Sequence, residues 1–266
     1  MKKEGIGKKA QLTIFIILAI MIVCAVILFL ILKEDMPIPI IGDKEINPNS
    51  FFESCLEEKI RETIDLISSQ GGYINNSEGN EIIFKFEGED DFSEISYLCY
   101  TPDFYLTCIN QEPMLIQHLK NEIETHISND VKSCFNDLVG NLEKQSYEID
   151  EEYNRGHIEL VPGKIILNIE GNLTTIKTNE TSNIDNPRVI FLSKFYDLVV
   201  VAQEITNQEA RFCNFEQLGF MLIYPEFEID KFNTGDLTTI YTIKHRKSGE
   251  KFRFAVRSCA IPPGIG

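Results

Sequence analysis

Hydrophobic positions recur along the chain with three different spacings. From Ile14 to Leu32 there is no spacing at all. These 19 residues are almost purely aliphatic, and no charge occurs from Ala10 to Leu32. Ile, Val, Leu and Phe occupy every face, which a helix on the surface of a globular core would not tolerate. At about 1.5 Å per residue the run covers close to the hydrocarbon thickness of a bilayer, so 11–33 reads as a transmembrane helix. Residues 34–49 follow as a linker in which Pro37 and Pro39 favour an extended, semi-rigid spacer.

Beyond the linker, helical and strand spacings alternate. Ser50 to Ser69 reads as a helix, with Ser50 and Glu53 as a capping box, Leu56, Ile60, Ile64 and Ile67 on one face, and Gly71-Gly72 ending it. Tyr73-Ile74, Ile82 to Phe86 and Ile95 to Tyr100 look like short strands. Gln111 to Lys144 is the longest helical pattern, with apolar residues from Leu115 to Leu142 mostly at steps of four and a break expected at Ser128-Asn129-Asp130. Strand-like segments follow at 147–153, 157–161, 165–169 and 173–177, the last two as a hairpin across Glu170-Gly171-Asn172. Pro187 opens a third helix over 187–210, although the β-branched Val199-Val200-Val201 also suits a buried strand. Strands are expected at 220–224, 226–231, 238–245 and 251–259. The last places Phe252, Phe254 and Val256 on one face and Arg253 and Arg257 on the other. The order gives an α+β domain of antiparallel sheets packed with three long helices, in two lobes, 50–145 and 146–266.

Charge fixes an orientation for this arrangement. Lys2, Lys3, Lys8 and Lys9 against Glu4 give the leader, 1–10, a net +3 in a chain of net −16, so −19 falls beyond it. The positive-inside rule then puts the N-terminus in the cytoplasm and the domain outside the cell membrane, as a single-pass protein in contact with the lipid bilayer. An acidic chain with no basic stripe beyond the leader argues against nucleic acid as a partner.

Cysteines and sequons suit an outside location. Cys24 lies within the span, whereas Cys55, Cys99, Cys108, Cys134, Cys213 and Cys259 all lie beyond it. An even number outside the membrane suggests three disulfides. Proximity and element ends favour Cys55 with Cys134, Cys99 with Cys108, and Cys213 with Cys259, among many possible connectivities and with free buried thiols as the alternative. Asn75, Asn172 and Asn179 begin N-x-S/T sequons, each in a stretch that reads as a turn or strand end.

Lys8-Lys9-Ala10-Gln11-Leu12-Thr13, directly before the apolar run, resembles the class III signal of archaeal type IV pilins and archaellins. The resemblance implies a prepilin peptidase as partner, with Lys9, Ala10 and Gln11 as processing residues and a cut between Ala10 and Gln11. The apolar helix then stays on the mature protein. Together with Cys55-Leu56-Glu57-Glu58, Gln70-Gly71-Gly72-Tyr73-Ile74 and Phe252-Arg253-Phe254-Ala255-Val256-Arg257, this beginning is also similar to uncharacterised single-pass surface proteins of small archaea. No activity comes with that resemblance.

Candidate chemistry is sparse. His118, Glu122 and His126 share one helix face, but the two histidines lie about 12 Å apart along it, too far to bind one ion, so a solvated face is expected. Glu87 to Asp91 and Asp150 to Glu152 are acidic clusters without the spacing of a calcium loop. No H-E-x-x-H, G-x-S-x-G, P-loop or G-x-G-x-x-G occurs. No catalytic residue, metal site or cofactor is therefore expected. The sequence reads as a membrane-anchored extracellular protein that binds or assembles, with other pilin-like subunits or cell-envelope proteins as possible partners. A minor pilin of a filament and a membrane-tethered hydrolase are the alternatives.

Overall fold

The first helix, α1 (Pro48–Ser69), begins two residues ahead of the expected capping box, because Asn47 supplies the cap. Its side-chain oxygen accepts from the N–H groups of Asn49 and Ser50, and Pro48 fills the first turn, where no N–H is needed. The computed structural model describes residues 47–75, 79–177 and 180–259. The leader, the apolar run 11–33 and nearly all of the linker lie outside the described residues. Among the described residues no helix is long and apolar enough to cross a membrane.

Helix α1 buries Phe52, Leu56, Ile60, Ile64 and Ile67 and lies antiparallel to the longest element of the fold. Tyr73-Ile74 forms a turn rather than a strand. The first strands are β1 (Glu81–Phe84), β2 (Ser93–Tyr100) and the two-residue β3 (Ile109–Asn110). Helix α2 (Leu115–Lys144) then runs 30 residues without interruption through Ser128-Asn129-Asp130, where a break was expected. Those three side chains point away from the core, Ser128 donating to the Thr125 carbonyl, so tertiary packing of the flanking Ile127 and Val131 outweighs their turn preference. Burial follows the steps of four, from Leu115 through Leu119, Ile123, Ile127, Val131 and Phe135 to Leu142.

The strands expected at 147–161 merge into one, β4 (Glu148–Val161), and those at 165–177 into another, β5 (Lys164–Lys177). The hairpin turn is Pro162-Gly163, with Val161 opposite Lys164; Glu170-Gly171-Asn172 runs through the middle of β5 instead of turning. Strand β6 (Glu180–Asp185) pairs with the second half of β5, and β7 (Arg188–Leu192) with the first half, completing a four-stranded antiparallel sheet.

The segment after Pro187 is thus strand, and the third long helix, α3 (Phe195–Phe212), starts eight residues later than expected. A distant residue sets that start: the Lys194 N–H donates to the Glu250 carboxylate, while the Ser193 hydroxyl accepts from Phe195 N–H. Val199-Val200-Val201 lies within this helix. Residues 220–224 are not a strand either. They belong largely to a short helix, α4 (Gln217–Ile223), capped by the Glu216 carboxylate, which accepts from Leu218 and Gly219. Strands β8 (Phe227–Asn233), β9 (Thr238–His245) and β10 (Lys251–Arg257) close the chain.

These last strands join the early ones in a six-stranded sheet of order β1-β2-β10-β9-β8, with β3 beside β2. It is mixed rather than purely antiparallel, since β10 lies parallel to β2. The pairing links an early strand to the last one. The main hydrophobic core draws on α1, α2, α3, β4, β5 and β10, so residues of 50–145 and 146–266 share it. The sheet curls strongly. Four strand spacings separate β1 from β8, about 19 Å if flat, yet the rings of Phe84 and Phe232 are 4.9 Å apart. A small second core of Ile95, Tyr97, Ile240 and Ala255 fills the curl.

Three disulfides tie the elements. Cys55–Cys134 joins α1 to α2, Cys99–Cys108 closes the loop between β2 and β3, and Cys213–Cys259 ties the end of α3 to the segment after β10. The fold is α+β with these three bridges.

Candidate binding cleft

Strand β4 lies against the middle of α2, and the approach depends on two glycines. A Cβ on Gly156 would meet Leu167 Cδ1 at 3.1 Å and Val131 Cγ1 at 3.2 Å, and one on Gly171 would meet the Glu152 carbonyl oxygen at 2.5 Å. Close packing thus fixes β4 against α2 on one side and β5 on the other. Between these two constraints the ladder slips: Tyr153 faces Gly171 and Arg155 faces Glu170, leaving Asn154 without a partner in register. This is a β-bulge.

The bulge interrupts the regular pairing of β4. Regular alternation would send Tyr153 and Asn154 to opposite faces. Here Tyr153, Asn154, Arg155 and Gly156 all line one cleft, whose other wall is α2 from Glu124 to Asn136. The cleft holds about 580 Å³, within the usual range for small-ligand sites. The Tyr153 ring rests on Phe135, with centroids 5.2 Å apart, and burial raises the pKa of its hydroxyl.

The charged groups around the cleft largely neutralise one another. Arg155 makes a two-pronged contact with Glu170, Nε to Oε2 at 2.9 Å and a terminal nitrogen to Oε1 at 3.1 Å, and this hydrogen bonding lowers the Glu170 pKa. Glu124 accepts from Ile158 N–H at 2.8 Å and sits 2.8 Å from His157 Nδ1. Lys132 and Glu151 supply one further charge of each sign. Asn129, Asn136 and Asn154 also line the space. Among the described residues none of the three side-chain amides has a hydrogen-bond partner, so their donors and acceptors are open to a ligand.

Other exposed features lie elsewhere. A groove of about 810 Å³ runs between α3 and the α4–β8 segment, with Val200, Phe220, Tyr224, Phe227 and His245 among its walls. Helix α4 buries none of its residues, and Leu222 and Ile223 stand exposed on it. Phe104, Tyr105 and Leu106 are exposed on the loop closed by Cys99–Cys108.

The residues singled out from the sequence are dispersed. His118 Nε2 lies 2.9 Å from the Gly72 carbonyl, and Glu122 accepts from Ile74 N–H at 3.0 Å. Both therefore hold the turn after α1 rather than forming a solvated row. Of the acidic cluster at 87–91, Glu89 pairs with Arg253 at 2.7 Å. Among the described residues no group of three or more His, Cys, Asp or Glu is placed to hold a metal ion. Asn75 and Asn172 are exposed, Asn172 on β5 opposite Glu152. Asn179 lies outside the described residues, as do Lys9, Ala10 and Gln11. Tyr153 and its neighbours carry no motif in the sequence. The available signal is a pair of isolated glycines, Gly156 and Gly171, each between two strand-like segments that can join into one strand with a bulge or a close backbone approach. Comparison with protein-family models, with curated proteins and with solved structures returns no match.

Proposed function

We propose that this protein is a membrane-anchored surface protein, pilin-like at its N-terminus, whose folded domain faces the cell exterior and binds or assembles rather than catalyses. The observation that carries the reading is the pairing of all six cysteines beyond the apolar run into three disulfides. Such bridges persist in oxidising surroundings. The basic leader and the 19-residue apolar run ahead of the linker supply the anchor and its orientation. The cleft at the β4 bulge and the exposed Phe104-Tyr105-Leu106 and Leu222-Ile223 side chains supply surfaces for interaction.

The test is fractionation of native cells without reductant, followed by intact-mass and N-terminal peptide analysis. The protein should leave the membrane only with detergent, carry no reactive thiol beyond Cys24, and lose its domain to protease added outside intact cells. A start at Gln11 would favour the filament-related form, and a start at Met1 a simple signal anchor. Recovery from the cytosol with six free cysteines would defeat the reading.

A further inference from the structure

We propose that the cleft between α2 and the β4 bulge is a binding site for a neutral oligosaccharide. This inference rests on the binding role proposed for the domain but not on the membrane anchor. Its chemistry follows from what the cleft offers and what it has already used. Arg155 is paired with Glu170, and Glu124 with Ile158 N–H and His157, so an anion or a cation would have to share or displace partners already in place. Lys132 and Glu151 leave no excess of either sign. What remains is the half-buried Tyr153 ring at the cleft wall and three amide side chains.

A sugar matches that remainder. Each hydroxyl both donates and accepts, as each Asn amide does with its NH₂ and carbonyl oxygen. The C–H face of a pyranose is apolar and suits the electron-rich face of a tyrosine ring. Phe135 packs against the Tyr153 ring and limits the rotamer freedom lost on binding. The bulge puts Tyr153 and its neighbour Asn154 on the lining of the same cleft, which regular strand alternation disfavours. A phosphate ligand would require free basic groups, and a lipid chain would require an apolar lining; the cleft has neither in quantity.

The test uses the full chain in lipid nanodiscs, which avoids sugar-based detergents. Saturation-transfer NMR and calorimetry are run with triacetylchitotriose, mannotriose and maltotriose, and with inorganic phosphate as the anionic probe. At least one of the three sugars should bind. Its affinity should fall about tenfold or more in Tyr153→Ala, the loss typical of truncating an aromatic anchor. Asn154→Ala, at an exposed position unpaired in the ladder, should weaken the same sugar without lowering the thermal midpoint. Binding of none of the three sugars, equal binding by both variants, or a preference for phosphate would each overturn the proposal. Because binding is read on reconstituted protein, failure here leaves the cell-fractionation result standing, and the reverse also holds.

Discussion

At the scale of single residues, the largest polar commitment in the core is Tyr241. Its side chain is wholly buried and its hydroxyl donates to the Glu209 carboxylate, itself buried on the last turn of α3. Lys231 Nζ lies 3.7 Å from the same oxygen, and the Ser258 hydroxyl reaches the Glu209 carbonyl. Tyr241→Phe would leave one carboxylate oxygen short of a donor in a buried site, a change expected to cost about 1–3 kcal/mol in urea unfolding. Burial first, and then the charge of Glu209, push the Tyr241 pKa far above its ordinary 10.0. Above that pH the unfolded chain releases the phenolic proton while the folded chain keeps it. The stability associated with this group is therefore full below about pH 10 and declines as pH rises beyond it. Urea midpoints measured from neutral pH to about pH 11 should fall less steeply in Tyr241→Phe than in the native protein; identical slopes would remove Tyr241 from the account. Gly171 makes a second residue-scale case. Gly171→Ala would force a methyl onto a backbone carbonyl that cannot rotate away, and should lower stability by about 1–3 kcal/mol. An unchanged thermal midpoint would mean that the bulge is not held as described.

At the scale of elements, what could be read in the sequence was periodicity confined to one element, and what could not was set by residues far away in the chain. The steps of four from Leu115 to Leu142 and the alternation of Phe252, Phe254 and Val256 located α2 and β10, because burial there follows the local pattern. Pro187 suggested a helix start, but residues 188–192 instead complete the ladder against β5, and the cap of α3 comes from Glu250, 56 positions from Lys194. Phe220 to Tyr224 carries the β-rich composition of a strand, yet Glu216 caps it as a helix. The bulge was hidden for a related reason: register is a property of two strands, and Asn154 is unpaired only because Gly171 sits across from Tyr153. The Ser128-Asn129-Asp130 segment gives a direct test of local against tertiary control. Since α2 is continuous there, Ser128→Ala replaces an exposed residue of lower helix propensity and should raise stability by about 0.5 kcal/mol. A lower melting temperature in calorimetry would mean that the segment relies on its turn-forming side chains after all.

At the scale of the whole molecule, the three bridges divide the work of holding a mixed fold together. The elements they join are far apart in sequence to very different degrees: 79 residues for Cys55–Cys134, 46 for Cys213–Cys259 and 9 for Cys99–Cys108. If a bridge acts mainly by restricting the unfolded chain, loop-closure entropy gives about 4.5, 4 and 2.7 kcal/mol respectively. The short Cys99–Cys108 loop lies inside the Cys55–Cys134 loop and shortens it only slightly, so the order should survive their coupling. Paired Cys→Ala variants should therefore unfold at successively higher urea concentration as the deleted bridge changes from Cys55–Cys134 to Cys213–Cys259 to Cys99–Cys108. The bridges also differ in what they hold. Cys55–Cys134 binds the two helices whose contact carries β4 and the cleft, whereas Cys99–Cys108 holds a surface loop bearing Phe104, Tyr105 and Leu106. Losing the first should loosen the Tyr153 side of the domain, seen as faster amide exchange in β4. Losing the last should leave β4 protection unchanged and expose only its own loop to protease. Equal destabilisation by all three deletions would show that native packing, not the length of chain each bridge closes, sets their value.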